Sequence, residues 1–349
     1  MSERRFVVVG AGLSGCAVAH ALATRGAQVD VLERAVPGAE ASSAAAGILA
    51  PRMEAHGHEP LRSLGIASLG MYPEWLAALE RDSGLTADFS RPGLLRVVGE
   101  QADPAEMKPD REAVWLEGAV LHRRESSLAS PWAAAWWLPD ECAVDPRKLM
   151  RAVHAAAAGA GARFHTGMTV DRVDADGVTG TSGERFRGVV VVCAGAWTGR
   201  IPGLAHVPVR PVRGQLVALQ GGIGPRHVIF GPDGYMVPRT DGRTIVGTTV
   251  EEVGFARGVT AGGIHRVLDF SLRVCPGLAG AELTESWSGF RPGTPDHLPI
   301  LGRVDGVWVA SGHYRNGLLL APYTAAAMAA ALLDGAPLPA ELAPERFVR

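Results

Sequence analysis

A glycine-rich turn near the start of the chain limits the folds that this sequence can adopt. Residues 10–15 read Gly-Ala-Gly-Leu-Ser-Gly, follow an apolar stretch at 5–9, and open an alanine-rich segment at 16–24 that predicts a helix. A second apolar stretch, residues 28–32, ends at Glu33. Strand, turn, helix and strand in this order predict a βαβ unit, and such a unit requires a parallel sheet.

The spacing of the glycines in this turn is typical of a dinucleotide site. Gly10 allows a tight turn, Gly12 lets the backbone approach a pyrophosphate, and Gly15 lets the helix pack closely on the strand. The N-terminus of the helix offers free N–H groups to the phosphates. Glu33 can accept hydrogen bonds from ribose hydroxyls, and its charge would repel the 2′-phosphate of NADP. We therefore expect FAD or NAD.

Two later segments favour FAD over NAD. Residues 41–49 are mostly small, which lets a backbone lie against a flat ring system, and Ser42 and Ser43 are available to phosphates. Composition alone leaves open that this run is only the start of an alanine-rich helix. Near the other end of the chain, residues 312–319 overlap the start of a helix predicted at 316–333. Its N-terminus would stabilise negative charge on a reduced flavin.

The pattern as a whole predicts an α/β fold of two domains, in line with a length of 349 residues. The first is an FAD-binding, Rossmann-like domain with a parallel sheet, which is discontinuous and comprises residues 1–85, 141–205 and 296–349. The second is a substrate-binding domain with an antiparallel sheet, which comprises residues 86–140 and 206–295.

Within the second domain the sequence predicts strands at residues 209–219, 235–238 and 244–249. The pair Asp241-Gly242 predicts a hairpin turn between the last two strands. We expect residues 100–140 to be irregular, with several tryptophans that serve packing rather than chemistry.

Composition and charge exclude several classes of partner. The net charge is −2, so no basic field holds nucleic acid, and no apolar run approaches the length that crosses a bilayer. The four cysteines are scattered and form no disulfide framework, which favours a reducing cytoplasm. An arginine pair at residues 4–5 before apolar residues resembles an export signal, but Gly10 and Gly12 interrupt the apolar stretch. We expect a cytoplasmic protein.

The chain resembles the D-amino-acid oxidase superfamily of flavoproteins, and within it the bacterial glycine oxidases of thiamine biosynthesis. The resemblance covers nearly the whole chain and rests on several motifs in order. Besides the glycine-rich turn, these are SSAAAGIL at 42–49, VVVVCAGAW at 189–197, SGFRPGTPDHLPILGR at 288–303 and SGHYRNGLLLAP at 311–322. The last two discriminate best, because a glycine-rich turn alone indicates only a dinucleotide.

The resemblance implies which residues hold FAD. Beside Gly10, Gly12 and Gly15, the implied residues are Leu13, Ser14, Glu33, Arg34, Ala41, Ser42, Ser43, Ala46, Gly47, Ile48, Val170, Gly195, His313, Tyr314, Arg315, Asn316, Gly317, Leu318 and Leu319. Some relatives attach FAD through a cysteine in the segment that corresponds to residues 291–299. This segment has no cysteine here, so we expect non-covalent FAD.

The resemblance also implies a substrate site built from Arg291, Tyr235 and Arg315. A guanidinium can bind a carboxylate through two parallel hydrogen bonds, which suits Arg291, and Tyr235 would add a hydroxyl. The implied reaction transfers a hydride from a small amine, such as glycine, sarcosine or a small D-amino acid, to flavin N5. The products are a 2-oxo acid, ammonia and, with molecular oxygen as acceptor, hydrogen peroxide. Related enzymes are homo-oligomers, often tetramers.

Some features of the sequence depart from this pattern or leave room for other interpretations. Asp233 and Val250 replace a histidine and a larger methionine that we expect near the pocket. Residues 51–60 are expected to form a mobile polar lid, and Glu54, His56, His58 and Glu59 within it could suggest a metal site, although their spacing does not favour one.

Three other functions stay open at this stage. The first is a D-amino-acid dehydrogenase that passes electrons to a quinone. The second is an oxidase that modifies tRNA, which the lack of a basic patch disfavours. The third is a flavin-binding protein without catalysis, which the presence of all three substrate-site residues disfavours.

Overall fold

The computed structural model describes residues 4–55, 58–99, 103, 105, 107–130, 132 and 134–347. The strands are β1 Arg5–Val9, β2 Gln28–Glu33, β3 Ile48–Leu49, β4 Phe89–Ser90, β5 Leu94–Val98, β6 Val114–Glu117, β7 Ala134–Leu138, β8 Cys142–Val144, β9 Arg163–Thr166, β10 Val170–Asp174, β11 Gly177–Gly180, β12 Arg185–Arg187, β13 Val189–Val192, β14 Arg210–Gln220, β15 Val228–Gly231, β16 Gly234–Pro238, β17 Arg243–Gly247, β18 Glu282–Gly293, β19 Ile300–Val304 and β20 Val307–Ser311.

The α-helices are α1 Leu13–Ala23, α2 Ala41–Ala44, α3 Pro51–Glu54, α4 Glu59–Ser83, α5 Gly118–Arg124, α6 Pro146–Gly159, α7 Ala261–Val274 and α8 Ala321–Asp334. Short 3₁₀ helices cover Gly195–Arg200, Pro276–Gly280, Ala340–Leu342 and Pro344–Phe347. No helix among the described residues is long and apolar enough to span a membrane.

The first of the two large sheets has six strands, in the order β19-β20-β13-β1-β2-β9. All neighbours are parallel except β19, which pairs with β20 in the antiparallel sense. Side chains alternate across β1: Phe6 and Val8 pack against helices α1, α4, α6 and α8, whereas Val7 and Val9 face the small sheet β10-β11-β12. Burial on both faces explains why β1 is apolar throughout its buried part rather than alternating with polar residues.

The second large sheet has eight strands, in the order β18-β14-β17-β16-β15-β5-β7-β6. It is antiparallel except for the β15–β5 pair. One face carries Met236 and Val246 and packs on helix α7, while the other carries Tyr235 and Ile245. The predicted α/β class, with a parallel and an antiparallel sheet, is confirmed, whereas the domain bounds given above stay a prediction.

Two predictions of local structure were wrong. The segment expected to be irregular contains β6, α5 and β7, and the last of these pairs with β5. The C-terminal helix begins at Ala321 and not at residue 316, because residues 313–320 form turns. The first turn of this helix therefore lies five residues later in the chain than the predicted start at residue 316.

The turn at residues 313–320 is held by the long helix α4. The hydroxyl of Tyr72 donates to the carbonyl of Leu318 at 2.7 Å, and that of Ser68 donates to the carbonyl of Leu319 at 2.6 Å. Both donors are fully buried. A buried carbonyl without a donor loses its hydration without compensation, so these two bonds favour the turn over continuation of the helix.

We expect Tyr72→Phe to lower the free energy of unfolding by about 1 kcal/mol, because it removes a buried hydrogen bond to the carbonyl of Leu318, which keeps only the N–H of Ala321 at 3.1 Å. Urea unfolding, followed by circular dichroism, measures this change. Tyr323→Phe is the matched control, since Tyr323 lies half-buried on the adjoining helix α8, and we expect a smaller effect there. Equal losses in the two variants would contradict the assignment.

Candidate functional site

A cavity of about 400 Å³ lies between the two sheets. Its floor includes Val9, Leu32 and Ser311, at the carboxyl ends of β1, β2 and β20, and its roof includes Leu216 and Arg291 of the eight-stranded sheet. Ligands of open parallel sheets bind outside the carboxyl ends of the strands, which is where this cavity lies.

Most residues that the sequence predicts for cofactor and substrate line this one cavity. They are Gly10, Gly12, Leu13, Ser14, Glu33, Arg34, Ala41, Ser42, Ala46, Gly47, Ile48, Val170, Gly195, Tyr235, Arg291, His313, Tyr314, Arg315, Gly317 and Leu318. Four predicted residues are not on its wall: Gly15, Ser43, Asn316 and Leu319. Gly15 and Leu319 pack behind the wall, and Ser43 lines a separate small depression beside helix α6.

The glycine-rich turn forms what we call the dinucleotide end of the cavity, together with Glu33 and Ser42. Gly10 has φ +100°, and a Cβ there would lie 2.7 Å from the carbonyl oxygen of Cys193. A Cβ at Gly15 would lie 1.9 Å from the carbonyl oxygen of Gly10, so neither position admits a side chain. A Cβ at Gly12 would meet only the Ser42 Oγ, at 3.3 Å, which leaves its backbone open to a ligand. This cradle fits a pyrophosphate.

Hydrogen bonds to backbone N–H groups fix two polar side chains, Ser42 and Glu33, at the dinucleotide end of the cavity. The Ser42 Oγ accepts from the N–H of Leu13 at 2.9 Å, at the start of α1. The Glu33 carboxylate accepts from the N–H of Ala11 at 2.9 Å and from that of Ala35 at 3.0 Å. These bonds fix the carboxylate at the end of β2, where a ribose of a dinucleotide would lie.

Trp197 is a cavity residue that the sequence analysis did not single out. The Arg34 guanidinium lies 4.0 Å from the centroid of its ring and donates to Glu40 at 2.7 Å. Trp197 also contacts Phe290 edge to face. An arginine over an indole ring is a favourable cation–π arrangement, and it builds a wall beside the dinucleotide end. The position of Trp197 directly after the VVVVCAGA segment was the signal available in the sequence.

The run of small residues is helical only at Ala41–Ala44, and its later part lines the cavity. Gly47 has φ +82°, and a Cβ there would lie 2.0 Å from the carbonyl oxygen of Val144. The half-buried Arg239 donates through its guanidinium to the carbonyls of both Val144 and Ala46. The run is therefore a backbone wall rather than the start of a long helix.

At the other side of the cavity, which we call the substrate end, Arg291 of β18 and Tyr235 of β16 lie on the same eight-stranded sheet, with β14 and β17 between their strands. Arg291 donates to the Thr248 hydroxyl at 2.7 Å and to the carbonyl of Thr249 at 3.2 Å. A Cβ at Gly214 would lie 2.4 to 2.7 Å from the guanidinium, so the glycine makes room for the arginine. Thr248 and Gly214 were not predicted from the sequence.

The electrostatics of this end come from four ionisable side chains. Burial raises the pKa of the Tyr235 hydroxyl, against the opposing effect of Arg291 and Arg315, so the hydroxyl stays protonated and can donate. Burial works against the charge of Arg315, but Glu54, Tyr314 and Tyr235 together outweigh it and raise the pKa of Arg315. Glu54 lines the cavity and lies 3.8 Å from Arg315, although the sequence analysis placed it in a lid.

Several expectations about this end need correction. Asp233 pairs with Arg273 at 2.8 Å on the surface, Val250 is 52% exposed, and neither lines the cavity. Pro51–Glu54, the first part of the expected polar lid, is a short helix with three buried residues rather than an exposed loop. His56 lies outside the described residues, and the described part of the chain contains no group of three or more potential metal ligands.

His313 is a buried residue of the cavity wall. Its Nε2 lies 3.0 Å from the Thr324 Oγ1, so this nitrogen is directed at helix α8. Burial lowers the pKa of His313 from 6.5 to about 4. The ring is therefore neutral at pH 7 and adds no positive charge to the site.

The comparisons with known proteins agree with this geometry. A family model described as "DAO: FAD dependent oxidoreductase" matches residues 5–331. The bifunctional protein ThiO/ThiG of Trichormus variabilis is 37% identical over 343 residues, which cover 93% of this chain and 52% of that protein. The chain thus spans about half the length of this bifunctional relative.

Two further matches cover both partners almost fully. The glycine oxidase of Geobacillus kaustophilus is 33% identical over 338 residues, which cover 91% of this chain and 89% of that protein. A crystal structure of glycine oxidase from Geobacillus kaustophilus matches with a TM-score of 0.91 and 30% identity, and the match covers 99% of this chain and all of that one.

The buried His313 predicts a specific loss of stability in acid. Because its folded pKa, about 4, is below its ordinary value of 6.5, the unfolded chain takes up a proton first as the pH falls between these values. We expect this group to cost about 2 kcal/mol of unfolding free energy between pH 7 and pH 5. His313→Gln can keep a bond to Thr324 without titrating. Chemical unfolding of both proteins in excess FAD should show a shallower acid limb in the variant, and parallel limbs would contradict the assignment.

Proposed function

The chain belongs to the DAO family of FAD-dependent oxidoreductases, and we propose that within this family it oxidises glycine and other small amines. FAD is its cofactor. The observation that carries the proposal is the substrate end of the cavity, where a guanidinium and a protonated phenol, Arg291 and Tyr235, face the same space. This pair suits a carboxylate that lies beside a reacting carbon.

The residues present fit FAD. The glycine cradle has room for a pyrophosphate but not for side chains, and Glu33 is fixed where a ribose would lie. The wall formed by Ala46, Gly47 and Ile48 presents backbone and small side chains to a flat ring. Cys193 also lines the cavity, but burial raises the pKa of its thiol to about 12, so it is no nucleophile and non-covalent FAD remains our proposal.

In the proposed reaction the protein binds and orients the substrate. Arg291 would hold the carboxylate in a bidentate pair, and the Tyr235 hydroxyl would donate a further hydrogen bond. Thr248 and Gly214 fix the direction of Arg291, so the α-carbon has a defined place. When bound, FAD supplies the acceptor for a hydride from that carbon and passes the electron pair to oxygen. Loss of this hydride and of a proton from the amine leaves an imine, which water hydrolyses to a 2-oxo acid and ammonia, or to glyoxylate and methylamine when the substrate is sarcosine.

Finer features of the function also stand as proposals. They are glycine, sarcosine and small D-amino acids as substrates, hydrogen peroxide as a product, a role in thiamine biosynthesis, a homo-oligomer such as a tetramer, and a cytoplasmic location. The similarity to glycine oxidase of Geobacillus kaustophilus, in sequence and in structure, supports the choice of glycine.

An anaerobic titration of the purified holoprotein tests the proposed function. Glycine should bleach the yellow flavin, and admission of air should restore the colour with release of one hydrogen peroxide for each glycine consumed. Bleaching without recovery in air indicates a dehydrogenase that needs another acceptor, such as a quinone. If no small amine bleaches the flavin, the chain is a flavin-binding protein without this activity, and the proposal is overturned.

Gly214→Ala tests the role of the pocket that holds Arg291. The added Cβ would overlap the guanidinium, so we expect the KM for glycine to rise about 10- to 100-fold, as loss of a charge-assisted hydrogen bond predicts. Gly262→Ala is the matched control, since its Cβ would meet nothing within 4 Å on helix α7. Steady-state oxygen consumption measures both. If the KM of Gly214→Ala is unchanged while its FAD content is full, Arg291 does not bind the substrate carboxylate.

A further inference from the structure

Glu54 brings a negative charge into the substrate end of the cavity. It ends the short helix α3, only 7% of its surface is exposed, and it lines the cavity together with Arg291 and Arg315. Its Oε2 lies 3.8 Å from Nη1 of Arg315, close enough for a strong Coulombic attraction but longer than a hydrogen bond.

Neighbouring contacts keep Glu54 in this position. The N–H of Glu54 donates to the carbonyl of Ala50 at 2.8 Å within the short helix. Two residues earlier, Arg52 donates through its side chain to Glu112 at 2.7 Å and through its N–H to the buried Glu141 at 3.2 Å. The hydrogen bonds of Arg52 therefore hold the short helix that carries Glu54, and the carboxylate of Glu54 is not a free surface group.

Among the residues that the structure describes, the charges at this end add up to one positive charge. The described residues that line it contribute two guanidinium groups, Arg291 and Arg315, and one carboxylate, Glu54, while the Tyr235 hydroxyl is protonated. One substrate carboxylate compensates this charge. A second carboxylate would leave an uncompensated negative charge beside the buried side chains of Glu54 and Tyr235, which is costly.

If Glu54 carried no charge, a second substrate carboxylate could bind to Arg315. Its side chain is 25% exposed to the cavity and solvent, and its Nε has no hydrogen-bond partner among the described residues. A guanidinium with free donors is well suited to a carboxylate. Glu54 neutralises this guanidinium and would repel an approaching anion.

We propose that Glu54 is a specificity-determining residue that restricts the site to amines with a single carboxylate. The inference rests on the proposed function and names its substrate class: monocarboxylic amines such as glycine and sarcosine are accepted, and dicarboxylic ones such as iminodiacetate and D-aspartate are rejected. Glu54 acts by its charge and by its hold on Arg315, and it takes no proton in the reaction.

The decisive variant is Glu54→Gln, which keeps the shape and removes the charge. Binding of two inert anions to the holoprotein, acetate and malonate, is measured by the flavin spectrum and by calorimetry. We expect the wild type to prefer acetate, and the ratio of the Kd for malonate to that for acetate to fall at least about tenfold in the variant. In anaerobic flavin reduction, the rate constant of reduction divided by the Kd of the substrate should rise by a similar factor for iminodiacetate relative to glycine.

Three control variants separate charge from structure. Glu54→Asp keeps the charge and should restore selectivity at least in part. Glu59→Gln removes an exposed carboxylate from the start of helix α4 and should leave the ratio unchanged. In Arg315→Gln, the further change Glu54→Gln should no longer improve malonate binding, because the receiving guanidinium is gone. FAD content and melting temperature show whether each variant folds.

The outcomes distinguish this inference from the proposed function. An unchanged ratio in Glu54→Gln overturns it, as does an equal loss for both anions, which would indicate a structural role. Weaker glycine binding with unchanged anion binding would mean that Glu54 holds the substrate amine, and also overturns it. A wild type that binds malonate as tightly as acetate, or binds neither, has the same consequence. If the ratio shifts but glycine does not reduce the flavin, only the proposed function fails.

Discussion

The close backbone contact between the glycine-rich turn and strand β13 determines where the cavity can lie. At Gly10 the chain passes so near the carbonyl of Cys193 that no side chain fits, and at Gly15 helix α1 meets the turn itself. The carboxyl ends of β1 and β13 are thereby brought together in register, Val9 beside Val192. The first turn of α1 lies at this edge, and its residues Leu13 and Ser14 line the cavity.

The second sheet supplies chemistry that the first cannot. Arg291 and Gly214 lie on paired strands, with Gly214 opposite Gly289, so the arginine reaches across an absent side chain. A charged group can be held in a mostly apolar roof only if its donors are satisfied, and Thr248 and Thr249 meet this need. The cavity therefore combines a backbone cradle from one layer with fixed side chains from the other.

Local signals in the sequence predicted part of this arrangement well. The βαβ start and the hairpin at Asp241-Gly242 depend on neighbouring residues, so pattern and turn chemistry suffice. The start of α8 was missed because a helix-compatible leucine run is held in turns by Tyr72 and Ser68, which are distant in the chain. Pro322, at the second position of the helix, marked the true start, since proline is favoured in a first turn.

The residues that tertiary structure alone brings together could not be predicted in this way. Glu54 and Arg315 are more than 250 positions apart, and the local pattern around Glu54 suggests an exposed polar segment. Its burial follows from Pro51 and Met53 on the same short helix, which pack inward and carry the carboxylate with them. Gly214 gives no local signal either, because a glycine in a strand indicates a close approach but not the group that approaches.

The same arrangement bears on how the reaction can proceed without a dedicated base. The titratable side chains that line the substrate end are each committed: Arg291 and Arg315 are cations, Tyr235 keeps its proton, and Glu54 faces a guanidinium. His313 is neutral, but its Nε2 is directed at Thr324. A site of this kind favours loss of a hydride from a bound, neutral amine over abstraction of a proton from carbon, since its charges are placed to hold a carboxylate still.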